Sequence, residues 1–144
     1  MTLIPLYIIF AVASKNFSLP ENLLSSLCYV ESNHDISAVH HDDGNSDSLG
    51  VCQVKLSTAR WMGYKGTSKQ LMDPTINIYY AAKYLSYQIK RYHSTTRGII
   101  AYNIGHAKKS LTSTQYSVKV NKQWRQECKT QSINRPTTRQ AAST

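Results

Sequence analysis

The residue best suited to chemistry is Glu31, a carboxylate at the end of an apolar helical pattern. Leu23, Leu27 and Glu31 are spaced four residues apart, so in a helix they share one face. The two leucines indicate that this face points into the core, where burial raises the pKa of a carboxyl group. An acid that keeps its proton near neutral pH can act as a general acid. The alternative interpretation is that Glu31 ends the helix and faces water.

The composition is that of one globular domain with a strong positive charge. The chain has 144 residues, of which 41% are hydrophobic, and its formal net charge is +9. This charge favours an anionic partner such as nucleic acid, an acidic membrane surface or an acidic wall polymer. The basic residues are scattered between Lys55 and Arg139 without a dense run. The pattern therefore argues against dedicated nucleic-acid binding.

An apolar run occupies residues 3–13 and ends in the small-residue pattern Ala11-Val12-Ala13. A bilayer span needs about 20 apolar residues, so this run is too short to cross a membrane. It predicts a signal peptide over residues 1–13, export to the periplasm, envelope or medium, and a functional domain over residues 14–129. A retained buried segment or anchor is the alternative.

Three cysteines, Cys28, Cys52 and Cys128, allow at most one intramolecular disulfide. The spacing does not determine the pair, and three reduced thiols remain an equal alternative. No His or Cys cluster has zinc spacing, and the His-His-Asp-Asp run at residues 40–43 points its ligands in different directions. We therefore predict no metal and no cofactor.

The elements that must position Glu31 are mostly helical. A capping box at residues 18–21 predicts the start of the helix that carries Glu31, and the polar segment 32–48 predicts a loop or a short hairpin. Asp73-Pro74 begins a long helix that runs to about Tyr92, and short helices are predicted at 56–62 and 97–104. A second capping box at 112–115 begins a last helix that ends near Cys128. Residues 130–144 predict a disordered tail.

Three motifs in chain order resemble the catalytic domain of soluble lytic transglycosylases in the lysozyme superfamily. They are Glu31-Ser32, the Gly-Val-Cys-Gln segment at 50–53, and the Ala-Tyr-Asn-Ile-Gly segment at 101–105. The resemblance extends over about residues 18–125. It implies a single, mainly α domain with the lysozyme-like α+β fold and a polar loop or short hairpin after the catalytic helix. The chain departs from the family pattern at Cys52, where Met is common.

The resemblance implies cleavage of the β-1,4 bond between N-acetylmuramic acid and N-acetylglucosamine in peptidoglycan, with a 1,6-anhydro product. Glu31 would be the only acid and base. The residues implied to bind substrate are Ser32, Gly50, Gln53, Tyr102, Asn103 and Tyr116. A monomer is expected, working alone or beside a secretion, conjugation, pilus or phage machinery.

Two alternatives stay open. A hydrolytic lysozyme on the same fold would need Asp42, Asp43 or Asp47 to position a water opposite Glu31. Alternatively, a basic module could bind the wall or nucleic acid without catalysis.

Overall fold

The structure is a computed structural model that describes residues 3–41 and 46–134. Seven helices and three two-residue strands follow one another within these ranges. They are α1 Leu6–Asn16, α2 Leu23–Ser32, β1 Val39–His40, β2 Ser48–Leu49, β3 Val54–Lys55, α3 Leu56–Trp61, α4 Ser68–Leu71, α5 Pro74–Tyr92, α6 Thr95–Ile104 and α7 Gln115–Asn134. The predicted mainly helical domain of lysozyme-like class is confirmed.

The helix α5 is the centre of the fold, and α1, α4 and α6 pack around it. It begins where the sequence predicts, because Asp73 caps it by accepting hydrogen bonds from the backbone N–H groups of Thr75 and Ile76. Its buried side chains include Ile78 and Leu85, which are fully inaccessible to solvent. The second pair of helices, α2 and α7, packs together beside this centre.

The polar segment after α2 contains the predicted short hairpin. β1 pairs antiparallel with β2, with Val39 opposite Leu49, and β2 pairs antiparallel with β3, with Leu49 opposite Val54. The third strand directly follows the Gly-Val-Cys-Gln segment and was not predicted. Leu49, the last residue of β2, and the four residues that connect it to β3 are called the 49–53 turn below.

Two predicted helix starts are wrong by a few residues. Ser18 and Asn22 both have left-handed backbone conformations, with φ of 54° and 66°, so residues 18–22 form turns and α2 begins at Leu23. The helix α7 begins at Gln115 because Thr114 and Ser117 cap each other: the N–H of each donates to the hydroxyl of the other.

The end of α7 also differs from the prediction. The helix continues past Cys128 to Asn134, so the first five residues of the predicted tail are helical. The rest of the predicted tail, residues 135–144, lies outside the described residues.

The apolar run near the amino terminus forms α1 and contributes to the core. Phe10 and Ala13 are 4% and 6% exposed, whereas Leu3, Tyr7 and Val12 face outward. Within the described ranges, no helix is both long enough and apolar enough to cross a membrane. The predicted cleavage after Ala13 stays a prediction, and it falls inside this helix.

Candidate active site

Glu31 lies on the last turn of α2, one residue before the helix ends at Ser32. Its side chain points inward, and burial raises the pKa of this carboxyl group from 4.5 to about 7. The expectation from the apolar stripe, that burial perturbs Glu31, is therefore confirmed. At neutral pH such a group is close to half protonated, so it can both give and take a proton.

The partner of Glu31 is Tyr116 on the first turn of α7. The Tyr116 hydroxyl donates a hydrogen bond of 2.6 Å to Glu31 Oε1, and this bond lowers the pKa of Glu31 against the larger effect of burial. Burial, followed by the charge of Glu31, raises the pKa of Tyr116 well above its usual value. Tyr116 therefore stays a donor while the carboxylate changes its protonation state.

Ser32 connects α2 to the 49–53 turn. Its hydroxyl donates to the carbonyl oxygen of Val51 at 2.6 Å and accepts from the N–H of Asp35 at 3.1 Å. Both bonds go to backbone groups, so in this structure Ser32 fixes the distance between the end of α2 and the turn.

Gly50 allows the turn to pass directly over α5. Its φ is +74°, and a Cβ atom built on it would lie 2.6 Å from Nδ2 of Asn77. A larger residue here is excluded by both the backbone conformation and the contact. The glycine is therefore required by packing against Asn77.

Asn77 lies at the site but was not among the site residues predicted from the sequence. Its fully buried amide donates to the carbonyl oxygens of Leu49 and Leu71 at 2.8 and 2.9 Å, and its Oδ1 accepts from the N–H of Cys52 at 2.9 Å. An asparagine on the otherwise apolar face of α5 is the signal that could have identified it, because a buried amide needs several partners.

The cysteine pair left open by the sequence is Cys28 with Cys52. Cys28 lies three residues before Glu31 in α2, and Cys52 lies in the 49–53 turn. The disulfide therefore joins the helix of the acid to the turn covalently. Cys128 is a free, exposed thiol.

Gln53 folds its side chain back onto the turn. Its Nε2 donates to the carbonyl oxygens of Gly50 at 2.9 Å and Ala38 at 3.2 Å, while its backbone has a left-handed φ of 52°. The amide hydrogens thus stabilise the hairpin and the turn.

Tyr102 reaches the site from α6 but does not bind Glu31. Its buried hydroxyl donates to the carbonyl oxygen of Cys52 at 2.8 Å. Burial, and then the charge of Glu31, raise the pKa of Tyr102 well above its usual value. The neighbouring Asn103 is exposed on the same helix. The Tyr102 hydroxyl thus holds the turn and makes no hydrogen bond to Glu31, and the expected contact of Tyr102 with substrate stays a prediction.

Of the three aspartates considered for water activation, Asp47 lies within the described residues. Asp47 pairs with Nδ1 of His41 at 3.1 Å on the exposed hairpin, so its carboxylate is engaged. Asp42 and Asp43 lie outside the described residues. Within the described ranges, no group of three or more His, Cys, Asp or Glu side chains is arranged to hold a metal ion.

The sequence pattern of the transglycosylase SLT domain matches residues 8–124. Among curated proteins, the chain is 26% identical over 99 residues to protein IpgF of Shigella flexneri, covering 67% of this chain and 65% of IpgF. It is 28% identical over 116 residues to invasion protein IagB of Salmonella typhimurium, covering 78% of this chain and 72% of IagB. The chain thus spans less than two thirds of the length of IpgF.

A solved structure with the same fold is that of an inactive mutant of lytic transglycosylase Slt from Pseudomonas aeruginosa. The TM-score is 0.63 at 20% sequence identity, and the match covers 82% of this chain and 21% of that protein. At this identity the likeness establishes the fold alone.

Proposed function

The chain belongs to the transglycosylase SLT domain family, and on that premise we propose that it is a lytic transglycosylase acting on peptidoglycan. Family and fold support a glycan-cleaving function of the lytic transglycosylase type. In the proposed reaction the β-1,4 bond between N-acetylmuramic acid and N-acetylglucosamine breaks, and the muramic acid residue ends as a 1,6-anhydro sugar.

The observation that carries the proposal is the state of Glu31. Burial holds the pKa of its carboxyl group at about 7, and Tyr116 holds one oxygen in place at 2.6 Å. A carboxylic acid in this condition is suited to donate a proton to a glycosidic oxygen at neutral pH and to remove one afterwards.

The proposed steps use one carboxyl group twice. Glu31 first gives its proton to the glycosidic oxygen, so that the bond to C1 of the muramic acid breaks and the N-acetylglucosamine leaves with a hydroxyl group. The 2-acetamido group of the substrate stabilises the positive centre at C1, as in other substrate-assisted enzymes. The carboxylate then removes the proton of the C6 hydroxyl while the C6 oxygen bonds to C1, which restores the acid.

The residues around Glu31 take complementary roles in this proposal. Ser32, Gly50 and Tyr102 shape the 49–53 turn into one wall of the site, because their contacts go to the backbone of the turn or to Asn77. Gln53 and the exposed Asn103 are proposed to contact the sugar. The Tyr116 hydroxyl steadies the acid through both proton transfers.

We also propose that the protein is exported and acts in the cell envelope on glycan strands, as a monomer. A local opening of the wall would serve the assembly of a secretion, conjugation, pilus or phage machinery. One relative, IagB, is named an invasion protein, which fits an envelope role without specifying the machinery for this chain.

The test is digestion of purified peptidoglycan by the wild type and by Glu31→Gln, with products identified by mass spectrometry. We expect 1,6-anhydro ends from the wild type. We expect the variant to be slower by about 10²- to 10⁴-fold, the usual contribution of a general acid or base.

Each other outcome points to a different function. Reducing ends in place of anhydro ends would identify a hydrolytic lysozyme. Full activity of Glu31→Gln would remove Glu31 from the chemistry. A wild type that binds the wall but never cleaves it would identify a binding module.

A further inference from the structure

The outer face of α7 carries a line of positive charges, here called the α7 basic stripe: Lys119, Lys122, Arg125 and Lys129. All four side chains are exposed. Their spacings of three, three and four residues place them on one side of the helix over about 15 Å, facing away from the buried Val120. The stripe is therefore a continuous basic surface.

Within residues 3–41 and 46–134, the charges of the stripe are not neutralised by acidic side chains. None of its four side chains forms a salt bridge with another described residue. The one acidic residue of α7, Glu127, is engaged by Ser25 and Gln123 instead. Like charges three and four residues apart destabilise a helix slightly, so the stripe has a small cost in the free protein. An anionic partner would remove that cost.

The sequence around the stripe is also basic. Between Lys55 and Arg125 the chain holds 13 of its 17 basic residues and only one of its 8 acidic residues, Asp73. The positive charge is thus concentrated after the hairpin, whereas most acidic residues precede Leu49. A field of this kind attracts an extended polyanion more than a single small anion.

The stripe begins about one helical turn after Tyr116, the residue of α7 that contacts the acid. Tyr116, which donates to Glu31, lies three residues before Lys119 on the same helix. A polymer that leaves the acid along α7 would meet the stripe next. Burial raises the pKa of Glu31 and the Tyr116 hydroxyl lowers it, and no side chain of the stripe contributes to the shift, so the stripe should act on binding and leave the acid unchanged.

A lipid surface is a poorer match for α7. A helix that lies on a bilayer inserts an apolar face between the lipids. The apolar face of α7 is already packed in the core through Val120, Tyr116 and Trp124. Besides charge, the exposed side of α7 offers only two large apolar side chains, Val118 and Ile133, and these lie 15 residues apart instead of forming a continuous face.

We propose that the α7 basic stripe binds the carboxylate groups of the peptide stems on the same glycan strand that Glu31 cleaves. The identity of the polymer rests on the proposed function. The stripe would then hold the strand by its regularly placed negative charges while the sugars occupy the acid site.

The experiment compares two triple variants that lose the same charge. The stripe variant is Lys119→Gln, Lys122→Gln and Arg125→Gln, and the control is Lys65→Gln, Lys69→Gln and Lys90→Gln, all at exposed positions. Binding to purified sacculi is measured in the Glu31→Gln background, so that the polymer stays intact. Sacculi whose stem carboxylates have been amidated, phosphatidylglycerol vesicles and duplex DNA are the other probes.

We expect the stripe variant to bind native sacculi about tenfold more weakly at low salt, with the control close to its parent. The difference should vanish on amidated sacculi and at about 1 M salt, where charges are screened within about 3 Å. With Glu31 restored, the KM of the stripe variant should rise while kcat and its pH dependence stay unchanged.

Three results would overturn the proposal. Equal losses in the stripe and control variants would mean that net charge alone matters. An undiminished difference on amidated sacculi would exclude the carboxylates. Stripe-dependent binding to vesicles or DNA that exceeds binding to sacculi would assign another partner. If Glu31→Gln instead stays fully active, the proposed function fails while the binding measurements remain interpretable.

Discussion

The two ends of α2 are built in opposite ways. At its carboxyl end, Glu31 and Ser32 lie beside the 49–53 turn. A disulfide holds this turn, and four side chains form hydrogen bonds with its backbone. At its amino end, Asn22 and Ser25 face a groove of about 1510 Å³ between α1 and α7. This groove therefore lies at the end of α2 away from the acid.

The difference shows that the acid–base reactivity of a side chain here depends on its burial and its hydrogen-bond partners, and not on the volume of the neighbouring cavity. The site at the carboxyl end of α2 holds a carboxyl group whose pKa is about 7. The groove is lined by side chains that belong to helix packing, such as Phe10, Leu19 and Gln131. The two ends should consequently respond differently to substitution, and the following predictions order those responses from the largest to the smallest.

Phe10→Ala should have the largest effect on stability and little on catalysis. Phe10 is 4% exposed and its ring lies 5.1 Å from that of His34. Truncating a buried phenylalanine costs about 3–5 kcal/mol of the free energy of unfolding, which urea denaturation of the full chain measures. Leu3→Ala, at a residue that is 90% exposed, is the control. A reduced kcat in folded Phe10→Ala would break the comparison, because it would couple the groove to Glu31 through His34.

Removing the disulfide should weaken the acid end. The variant Cys28→Ser with Cys52→Ser opens a loop with a sequence separation of 24. By loop-closure entropy it should lose about 3 kcal/mol of stability. Because Cys52 also carries the backbone groups that bind Asn77 and Tyr102, we expect kcat to fall as well. Cys128→Ser, at the free and exposed thiol, should change neither quantity.

Glu31→Gln should stabilise the protein above neutral pH. The pKa of Glu31 rises from 4.5 in the unfolded chain to about 7 in the folded one, so the folded state binds the proton more tightly. Wild-type stability therefore falls as pH rises from 4.5 through 7, by about 3 kcal/mol in total. The variant lacks this loss. Urea midpoints at pH 4 and pH 8 measure it, and a gain that does not depend on pH would contradict the burial of the charge.

Tyr116→Phe should have the smallest effect, mainly on pH dependence. The hydroxyl lowers the pKa of Glu31, so its removal should raise that pKa and shift the alkaline decline of kcat/KM to higher pH. The stability cost should be about 1 kcal/mol, the net value of one hydrogen bond. Tyr7→Phe, at an exposed tyrosine of α1, should leave the profile in place. A shift to lower pH would show that the hydroxyl does not favour the ionised form.

Much of this arrangement could be predicted from local patterns. The four-residue spacing of Leu23, Leu27 and Glu31 predicted an inward-facing acid, and Asp73-Pro74 predicted the start of α5. The polar composition of residues 32–48 predicted a loop or a short hairpin, and the structure has the hairpin. These features depend on residues that are close in the chain, where periodicity and capping chemistry are informative.

The contacts that assemble the site depend on residues far apart in the chain. The choice of Cys28 and Cys52 among three cysteines, and the reach of Tyr102 to the carbonyl oxygen of Cys52, follow only from the packed positions of α2, α6 and the turn. The helix predicted to start near Ser18 begins later because Ser18 and Asn22 have left-handed backbone conformations. A capping pattern in the sequence does not indicate these backbone angles.

The dependence of the 49–53 turn on three separate helices has a consequence for the order of folding. The hydrogen bonds to the turn join residues that are 19 positions apart in the chain for Ser32, 25 and 28 for Asn77, and 50 for Tyr102. Contacts of such separation form late, after the intervening chain has been ordered. In a chain that emerges from its amino terminus during synthesis or translocation, Glu31 thus appears before the helices α5 and α6 that complete the site. Under the proposed function, glycan cleavage would begin only once α6 has docked, so an unfinished chain would be inactive.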